Sequence, residues 1–278
     1  MTATSRIERL FASHQGTFSY NSDSNADKSR LICFMTGGYP DLATSSEIIN
    51  KLPSWGADLV EIGIPFSDAS ADGETIRKAS KIALENGINT EKVLDMAKSF
   101  RQTNPDTPLL LMGYYNPIFH YGPQKFAKAA ADSGVDGLIL VDLPPEEEQE
   151  LTDHLPDDLH LIHLITPTTD ADRLKKIVAN AKGFLYYVSV TGTTGSATPD
   201  LGKVAKHLKE LNPPLPVAIG FGIRNAEQVK QFGELGQAVV VGSALLSELM
   251  DSTNNGESLT SIQDKISAQV TSYKKALQ

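Results

Sequence analysis

The sequence is poor in two things: cysteine and positive charge. It has one cysteine, Cys33, in 278 residues, so no internal disulfide and no cysteine-based zinc site can form. Its 25 Lys and Arg residues are outnumbered by 34 Asp and Glu, which gives a formal net charge of −9. No basic cluster of the kind that holds nucleic acid or anionic lipid occurs. We therefore expect no nucleic-acid partner, no membrane-surface role and no structural metal.

Long hydrophobic runs are also missing. No apolar stretch reaches the roughly 18 residues that a membrane-spanning helix needs. The first residues, MTATSRIERLFASHQG, lack the apolar core of a signal peptide. Because 40% of the residues are hydrophobic and 21% are charged, the composition is that of an ordinary globular chain. The expectation is a cytoplasmic protein without a membrane segment.

What the sequence does contain is a repeated alternation of short apolar runs and helical patterns. The apolar runs lie at 31–36, 58–63, 108–113, 136–141, 159–165, 184–189, 216–220 and 237–241. They are nearly continuous rather than alternating, which is typical of parallel strands covered on both faces. Segments such as EEEQELTDHL and AEQVKQFGEL lie between them and have the pattern of surface helices.

The number of units predicts the fold class, which is α/β. Eight strand–helix units within about 250 residues favour a (β/α)8 TIM barrel over a doubly wound open sheet of about five or six strands. TGGYPD follows the first strand, where an open dinucleotide-binding sheet carries G-x-G-x-x-G. No linker interrupts the pattern, so we expect a single barrel domain over 1–278. We also expect an additional N-terminal helix near Ser5–His14.

The connection after the second strand is unusually long. It begins PFSDASADGETIRKAS, and the later part of this segment predicts an extra helix. Long connections in compact domains often act as binding loops or lids. In a barrel, a connection that follows a strand lies on the catalytic face.

Three carboxylates lie near predicted strand ends or in this long loop. Glu61 lies in the apolar run LVEIGIP, where burial should raise its pKa and suit it to proton transfer; anchoring of a neighbouring loop is the alternative. Asp72 precedes a glycine, which is first of all a turn signal, although a carboxylate facing Glu61 across a barrel mouth would share acid and base roles with it. Asp142 precedes two prolines, and there a structural hydrogen bond is favoured over a site role.

Glycine-rich loops follow the last three predicted strands. They read VTGTTGSATPD, GFGIRNAEQV and VGSALL. Glycines let backbone N–H groups approach an anion, and helix N-termini favour negative charge. No strand ends in the lysine of a Schiff-base enzyme, and no G-x-S-x-G nucleophile elbow occurs. These features predict carboxylate acid/base chemistry on a phosphorylated ligand, and aromatic residues near the strand ends suit a flat apolar ring.

Seven segments together resemble the tryptophan synthase alpha chain family, in family order and over nearly the whole chain. They are FMTGGYPD, ADLVEIGIPFSDASADG, LLLMGYYNPIF, GVDGLILVDLPPEE, GFLYYVSVTGTTG, PVAIGFGIRNAEQV and AVVVGSALL. The resemblance implies a lyase that cleaves indole-3-glycerol phosphate to indole and glyceraldehyde 3-phosphate in tryptophan biosynthesis, with no cofactor in this chain. It also implies an α2β2 heterotetramer whose β chain carries pyridoxal phosphate. The implied pairing face includes the loop after the second strand and the region after the third.

The resemblance also assigns roles to individual residues. Glu61 is implied as the general acid/base that protonates indole C3 and helps to deprotonate the glycerol hydroxyl, and Asp72 as the carboxylate that binds the indole N–H. The implied substrate-binding residues are Phe34, Tyr114, Tyr186, Thr194 and Phe221. The implied phosphate-binding residues are Gly195, Gly222, Gly242 and Ser243. No metal ligand is implied.

The chain departs from the family pattern in the long loop. Where the family usually has P-F-S-D-P-L-A-D-G-P, this chain has PFSDASADGE, with Ala69, Ser70 and Glu74 at the changed positions. The loss of two prolines should make the loop more mobile and alter its contact with a β chain, so coupling to that chain stays open. The alternatives are a free-standing indole-releasing lyase, a non-catalytic partner-binding barrel, and an isomerase or decarboxylase acting on a related phosphorylated aromatic compound. Retention of Glu61 and Asp72 counts against the non-catalytic barrel.

Overall fold

Eight parallel strands close into a barrel in chain order in the structure, a computed structural model that describes residues 5–12, 29–189, 200–220 and 222–278. The strands are β1 (Arg30–Thr36), β2 (Leu59–Gly63), β3 (Leu109–Gly113), β4 (Gly137–Leu140), β5 (His160–Ile165), β6 (Leu185–Val188), β7 (Val217–Gly220) and β8 (Ala238–Val241). Each strand pairs in parallel with its neighbours, and β1 pairs with β8. The predicted (β/α)8 barrel is confirmed.

Helices surround this barrel and connect its strands. Those described are α1 (Arg6–Leu10), α2 (Leu42–Trp55), α3 (Glu74–Glu85), α4 (Thr90–Thr103), α5 (Tyr115–Tyr121), α6 (Pro123–Asp132), α7 (Gln149–Thr152), α8 (Ala171–Val178), α9 (Leu201–Leu211), α10 (Ala226–Gly233), α11 (Ser243–Asn254) and α12 (Leu259–Ala276). The extra helix predicted after the second strand is α3. Across the described ranges, no helix combines the length and the apolar character needed to cross a membrane.

One predicted helix is much shorter than its sequence pattern. EEEQELTDHL predicts a helix of about ten residues, but α7 is a single turn, Gln149–Thr152. Just before it, the carboxylate of Glu148 points inward and lies 2.6 Å from Nε2 of His163 on β5. Both side chains are buried. The tertiary contact between Glu148 and the barrel wall therefore outweighs the local helical pattern.

The N-terminal helix closes the bottom of the barrel. Ser5 and Glu8 form a reciprocal capping box at the start of α1, and Ile7 is fully buried. Arg6 donates to the carboxylate of Asp136 at 2.9 Å, and the same carboxylate accepts from Arg101 at 2.7 Å. α1 is described over Arg6–Leu10, so the end of the helix predicted to reach His14 falls partly outside the described residues.

The opposite end of the barrel is where the strands finish and the long connections begin. In the strand register, Glu61 of β2 lies between Phe34 of β1 and Leu110 of β3. All five residues of β2 are buried. Because parallel strands bring their carboxyl ends to one face, the residues that follow β1, β2 and β3 meet there.

Candidate active site

Glu61 is a carboxyl group enclosed by apolar strands. Its side chain is 0% exposed, and within the described part of the chain neither of its oxygens has a hydrogen-bond partner. Burial penalises the charged form and raises the pKa of Glu61 from 4.5 to about 8. Glu61 therefore holds its proton at neutral pH and is available as a proton donor.

Asp72 lies in the turn that leads from β2 into α3. Burial raises the pKa of Asp72 to about 6, although a hydrogen bond from Tyr114 and the charge of Arg77 act in the opposite direction. Asp72 is therefore ionised above about pH 6, while Glu61 stays protonated up to about pH 8. Between these values, one carboxyl group is neutral and the other is charged, which is the arrangement that acid and base pairs use.

Tyr114 connects the end of β3 to the loop that carries Asp72. Its hydroxyl accepts the backbone N–H of Ala71 at 2.9 Å and donates to the Asp72 carboxylate. The centroid of its ring lies 5.3 Å from the centroid of the Phe66 ring. Burial and the charge of Asp72 raise the pKa of Tyr114, so the hydroxyl keeps its proton. The resemblance suggested Tyr114 only as a pocket wall; this bond to the loop was missed.

Tyr186 of β6 lies close to both carboxyl groups. Burial, followed by the charges of Glu61 and Asp72, raises the pKa of Tyr186 well above 10. On the neighbouring strand, a Cβ at Gly220 would overlap the Tyr186 hydroxyl. Glycine at this position therefore makes room for the hydroxyl, and Tyr186 remains a neutral group beside the two acids.

A narrow cavity opens beside these residues at the carboxyl ends of the strands. It is lined by Phe34, Ile76, Met112, Tyr186, Gly222, Ile223, Val240, Gly242 and Ser243. Five of these residues were singled out from the sequence, and four others (Ile76, Met112, Ile223 and Val240) were not, because apolar residues of this kind also fill ordinary cores. The cavity combines an apolar wall with the first residues of a helix.

Glycine is required at two positions of this cavity. Gly222 has a φ of +81°, which residues with a Cβ rarely adopt. Gly242 precedes α11, and a Cβ there would lie 2.9 Å from the ring of Phe34. The first N–H groups of α11 have no partner within the helix, so the end of the cavity at Gly242 and Ser243 has donors for an anion.

The remaining predicted residues divide into two groups. Thr194, Gly195 and Phe221 lie outside the described residues. Asp142 lies just beyond the end of β4, is exposed, and accepts the backbone N–H of Tyr115 at 2.7 Å. This is the structural hydrogen bond that the sequence favoured. In the part of the chain that the structure describes, no three His, Cys, Asp or Glu side chains gather as metal ligands.

Larger clefts lie elsewhere, on the outer wall of β5. They measure about 740 and 430 Å³ and share Pro145, Leu161 and His163. Neither is lined by Glu61 or Asp72. The larger clefts therefore do not contain the two buried acids with raised pKa values, and it is these acids that mark the candidate site.

Comparisons with known proteins bear on the family and the fold of the chain. The family model described as tryptophan synthase alpha chain matches residues 20–278. A tryptophan synthase alpha chain from Gluconacetobacter diazotrophicus is 46% identical over 251 residues, which cover 89% of this chain and 88% of the relative. A crystal structure of the alpha chain from Legionella pneumophila subsp. pneumophila is 34% identical with a TM-score of 0.83, over 99% of this chain and 98% of that one. A structure of Mycobacterium tuberculosis tryptophan synthase is 28% identical with a TM-score of 0.81, over 99% and 98%.

Proposed function

The chain belongs to the tryptophan synthase alpha chain family, and we propose that Glu61 and Asp72 are the groups with which it cleaves indole-3-glycerol phosphate. The products of this lyase reaction, the alpha reaction of tryptophan biosynthesis, are indole and glyceraldehyde 3-phosphate. One observation carries the assignment: among the described residues the buried Glu61 carboxyl has no hydrogen-bond partner whereas that of Asp72 accepts from Tyr114, and burial raises their pKa values to about 8 and about 6. At neutral pH the first can donate a proton and the second carries negative charge.

In the first half of the reaction, Glu61 transfers its proton to C3 of the indole ring. This makes C3 tetrahedral and leaves positive charge on the ring, centred on the nitrogen. Asp72 accepts the hydrogen bond of the ring N–H and stabilises that charge, which is greater in the transition state than in the substrate. The half-buried setting of Asp72 strengthens this interaction because water screens it less.

In the second half, the bond between C3 and the glycerol side chain breaks. Glu61, now a carboxylate, takes the proton of the adjacent glycerol hydroxyl, and the C–O bond becomes the aldehyde of glyceraldehyde 3-phosphate. The electron pair of the broken bond returns to the ring and neutralises it as indole. Glu61 regains the proton that it donated, so the cycle needs no oxidant, reductant or external base.

The lining of the cavity beside the two acids suits the ring in one part and the phosphate in another. Phe34 and Tyr186 supply the flat apolar wall for the ring. Gly222, Gly242 and Ser243 present backbone N–H groups and the start of α11 to the phosphate. Tyr114 does not contact the ring in this proposal; it acts through its hydrogen bond to the Asp72 carboxylate. The roles of Thr194, Gly195 and Phe221 remain predictions from the family resemblance.

The proposal predicts a bell-shaped dependence of indole release on pH. Activity requires ionised Asp72 and protonated Glu61, so the rate should rise through about pH 6 and fall through about pH 8. The measurement is kcat/KM for indole release from indole-3-glycerol phosphate at pH 5 to 9, because this ratio reports the pKa values of the free enzyme. A rate that rises steadily through pH 8 would contradict the assignment of Glu61 as the acid.

The family implies a β chain as partner, and we propose that this chain pairs with it through the face formed by the loop after β2 and by α5. Phe119 of α5 is 55% exposed, so its ring is available to a partner on this face. Of the three positions that depart from the family pattern, Ala69 is buried, whereas Ser70 and Glu74 are exposed. Pyridoxal phosphate belongs to the partner in this proposal.

Glu74 occupies a position that tolerates the change from proline. It is the first residue of α3, where proline is favoured but a negative charge also suits the helix dipole. Its carboxylate pairs with Lys78 at 2.6 Å. The start of α3 is therefore supported without a proline, which favours retention of the pairing face.

Addition of a β chain with L-serine tests this pairing against the two alternatives. We expect the rate of glyceraldehyde 3-phosphate formation, a product that the β chain does not consume, to rise roughly tenfold or more, within the usual range of coupling between sites. A rate that does not respond to the β chain and serine indicates a free-standing lyase. No indole release under any condition indicates a non-catalytic barrel. Omission of serine is the matched control.

A further inference from the structure

The first turn of the helix α5 is capped by Asp142, which follows strand β4. Tyr114 occupies the N-cap position, but its side chain makes no capping hydrogen bond because its hydroxyl is turned towards the loop after β2. Instead, the N–H of Tyr115 donates to Oδ1 of Asp142, at the end of β4, over 2.7 Å. The hydroxyl of Tyr115 also donates a hydrogen bond to the Glu150 carboxylate, over 2.8 Å.

These two hydrogen bonds matter for the position of α5 because the helix is short. Its seven residues are too few to hold a helix without outside support. The first N–H groups of any helix also need partners from outside the helix. Packing of the buried Ile118 holds the body of α5, and among the described residues Asp142 is the side chain that accepts a backbone N–H of its first turn.

A shift of the first turn of α5 would be transmitted to Asp72 through Tyr114. Tyr114 precedes Tyr115 directly, and its side chain is buried, with little freedom to compensate for a shift of its backbone. Its hydroxyl holds the N–H of Ala71 at 2.9 Å and donates to Asp72. Asp142 and Asp72 are thus joined by a peptide unit and a rigid aromatic side chain.

We propose that Asp142 is a positioning residue for the alpha reaction: by capping α5 it places the Tyr114 hydroxyl that orients the Asp72 carboxylate. Asp142 acts through Tyr115 and Tyr114. This inference rests on the proposed role of Asp72 at the indole N–H. It gives a role to a strand-end carboxylate that lies on the catalytic face but outside the cavity.

The first test compares Asp142→Ala with Asp142→Asn in the full chain. The alanine variant lacks an acceptor for the Tyr115 N–H, and we expect kcat for indole release to fall roughly three- to tenfold with little change in KM. The asparagine variant keeps an acceptor oxygen and should recover most of the loss. Asp157→Ala, at a side chain that is 96% exposed, is the matched control for loss of a surface carboxylate.

The pH profile separates positioning from a merely structural role. The hydrogen bond from Tyr114 lowers the pKa of Asp72, so weakening that bond raises the pKa. The acidic limb of the Asp142→Ala profile should therefore move to higher pH. In a Tyr114→Phe background, which lacks the hydroxyl, Asp142→Ala should cause no further movement.

If thermal unfolding shows that Asp142→Ala is not folded, Tyr115→Pro provides the same test. Tyr115→Pro removes the donor N–H at the first helical position, where proline is tolerated, and should shift the acidic limb in the same direction. Tyr115→Phe measures the loss of the hydroxyl alone. An unshifted acidic limb in a folded Asp142→Ala or Tyr115→Pro variant overturns the proposal. Full activity in Asp72→Asn would instead overturn the role of Asp72 itself, so the two failures are distinguishable.

Discussion

Replacing Glu61 by glutamine should lower indole release by about 10²- to 10⁴-fold, the usual contribution of a positioned acid or base. Glutamine has nearly the same volume but neither donates nor accepts a proton at C3 or at the glycerol hydroxyl. Because Glu61 is neutral at pH 7 and glutamine is neutral with nearly the same volume, the affinity for indole-3-glycerol phosphate should change little. Kinetics of indole release and equilibrium binding of the substrate by the inactive variant measure the two effects. Full activity in the variant would exclude Glu61 as the acid.

The same substitution should stabilise the protein, and increasingly so as the pH rises. The pKa of Glu61 is about 8 in the folded chain, against an ordinary value of 4.5. Between these values the unfolded chain loses this proton while the folded chain keeps it, so the wild type loses stability as the pH rises through this window. Glutamine does not titrate. At pH 7 the difference in the free energy of unfolding should be on the order of 3 kcal/mol.

Urea denaturation of wild type and variant at pH 5 and pH 7 measures this difference. Glu85→Gln is the matched control for replacement of a surface carboxylate, because Glu85 is exposed at the end of α3. A stability difference between wild type and Glu61→Gln that is equal at both pH values would mean that Glu61 is ionised in the folded protein.

Replacing Asp72 by asparagine should lower kcat by about 10²- to 10³-fold, the range found when a group that stabilises transition-state charge is removed. Asparagine still offers an oxygen to the indole N–H, but it carries no negative charge to balance the protonated ring. The loss should therefore appear in kcat more than in KM. The residual activity should also lack the acidic limb near pH 6, since the group that titrates there is gone.

Single-turnover and steady-state rates of Asp72→Asn across pH 5 to 9 test this expectation. Asp132→Asn is the matched control, because Asp132 is exposed at the end of α6 and pairs only with Lys128 among the described residues. Persistence of the acidic limb in Asp72→Asn would assign that limb to another group. Loss of the limb with kcat unchanged would remove Asp72 from the chemistry.

The barrel and its principal acid follow from local features of the sequence. Strands such as β2 and β3 are continuous apolar runs, and the predicted boundaries 58–63 and 108–113 each begin one residue before the strand does and end with it. The strand pattern also predicts that Glu61 is buried, and burial alone raises its pKa. Hydrophobic pattern and desolvation are properties of a short segment and its surroundings, so they can be worked out without the partners of each side chain.

Other features depend on contacts between distant segments. Ala71 and Tyr114 are 43 residues apart, and Asp142 and Tyr115 are 27 residues apart, yet in our proposal these contacts set the position of Asp72. The buried contact of Glu148 with His163, 15 residues away, likewise lies just before α7, within the segment whose helical pattern is only partly realised.

By itself, the sequence determined that eight parallel strands form and that a carboxyl group is buried in one of them. Only the tertiary structure decided which side chains meet that group at the mouth of the barrel. The physical reason is that barrel closure and strand register choose the neighbours at the strand ends, and a hydrogen bond about 3 Å long depends on both.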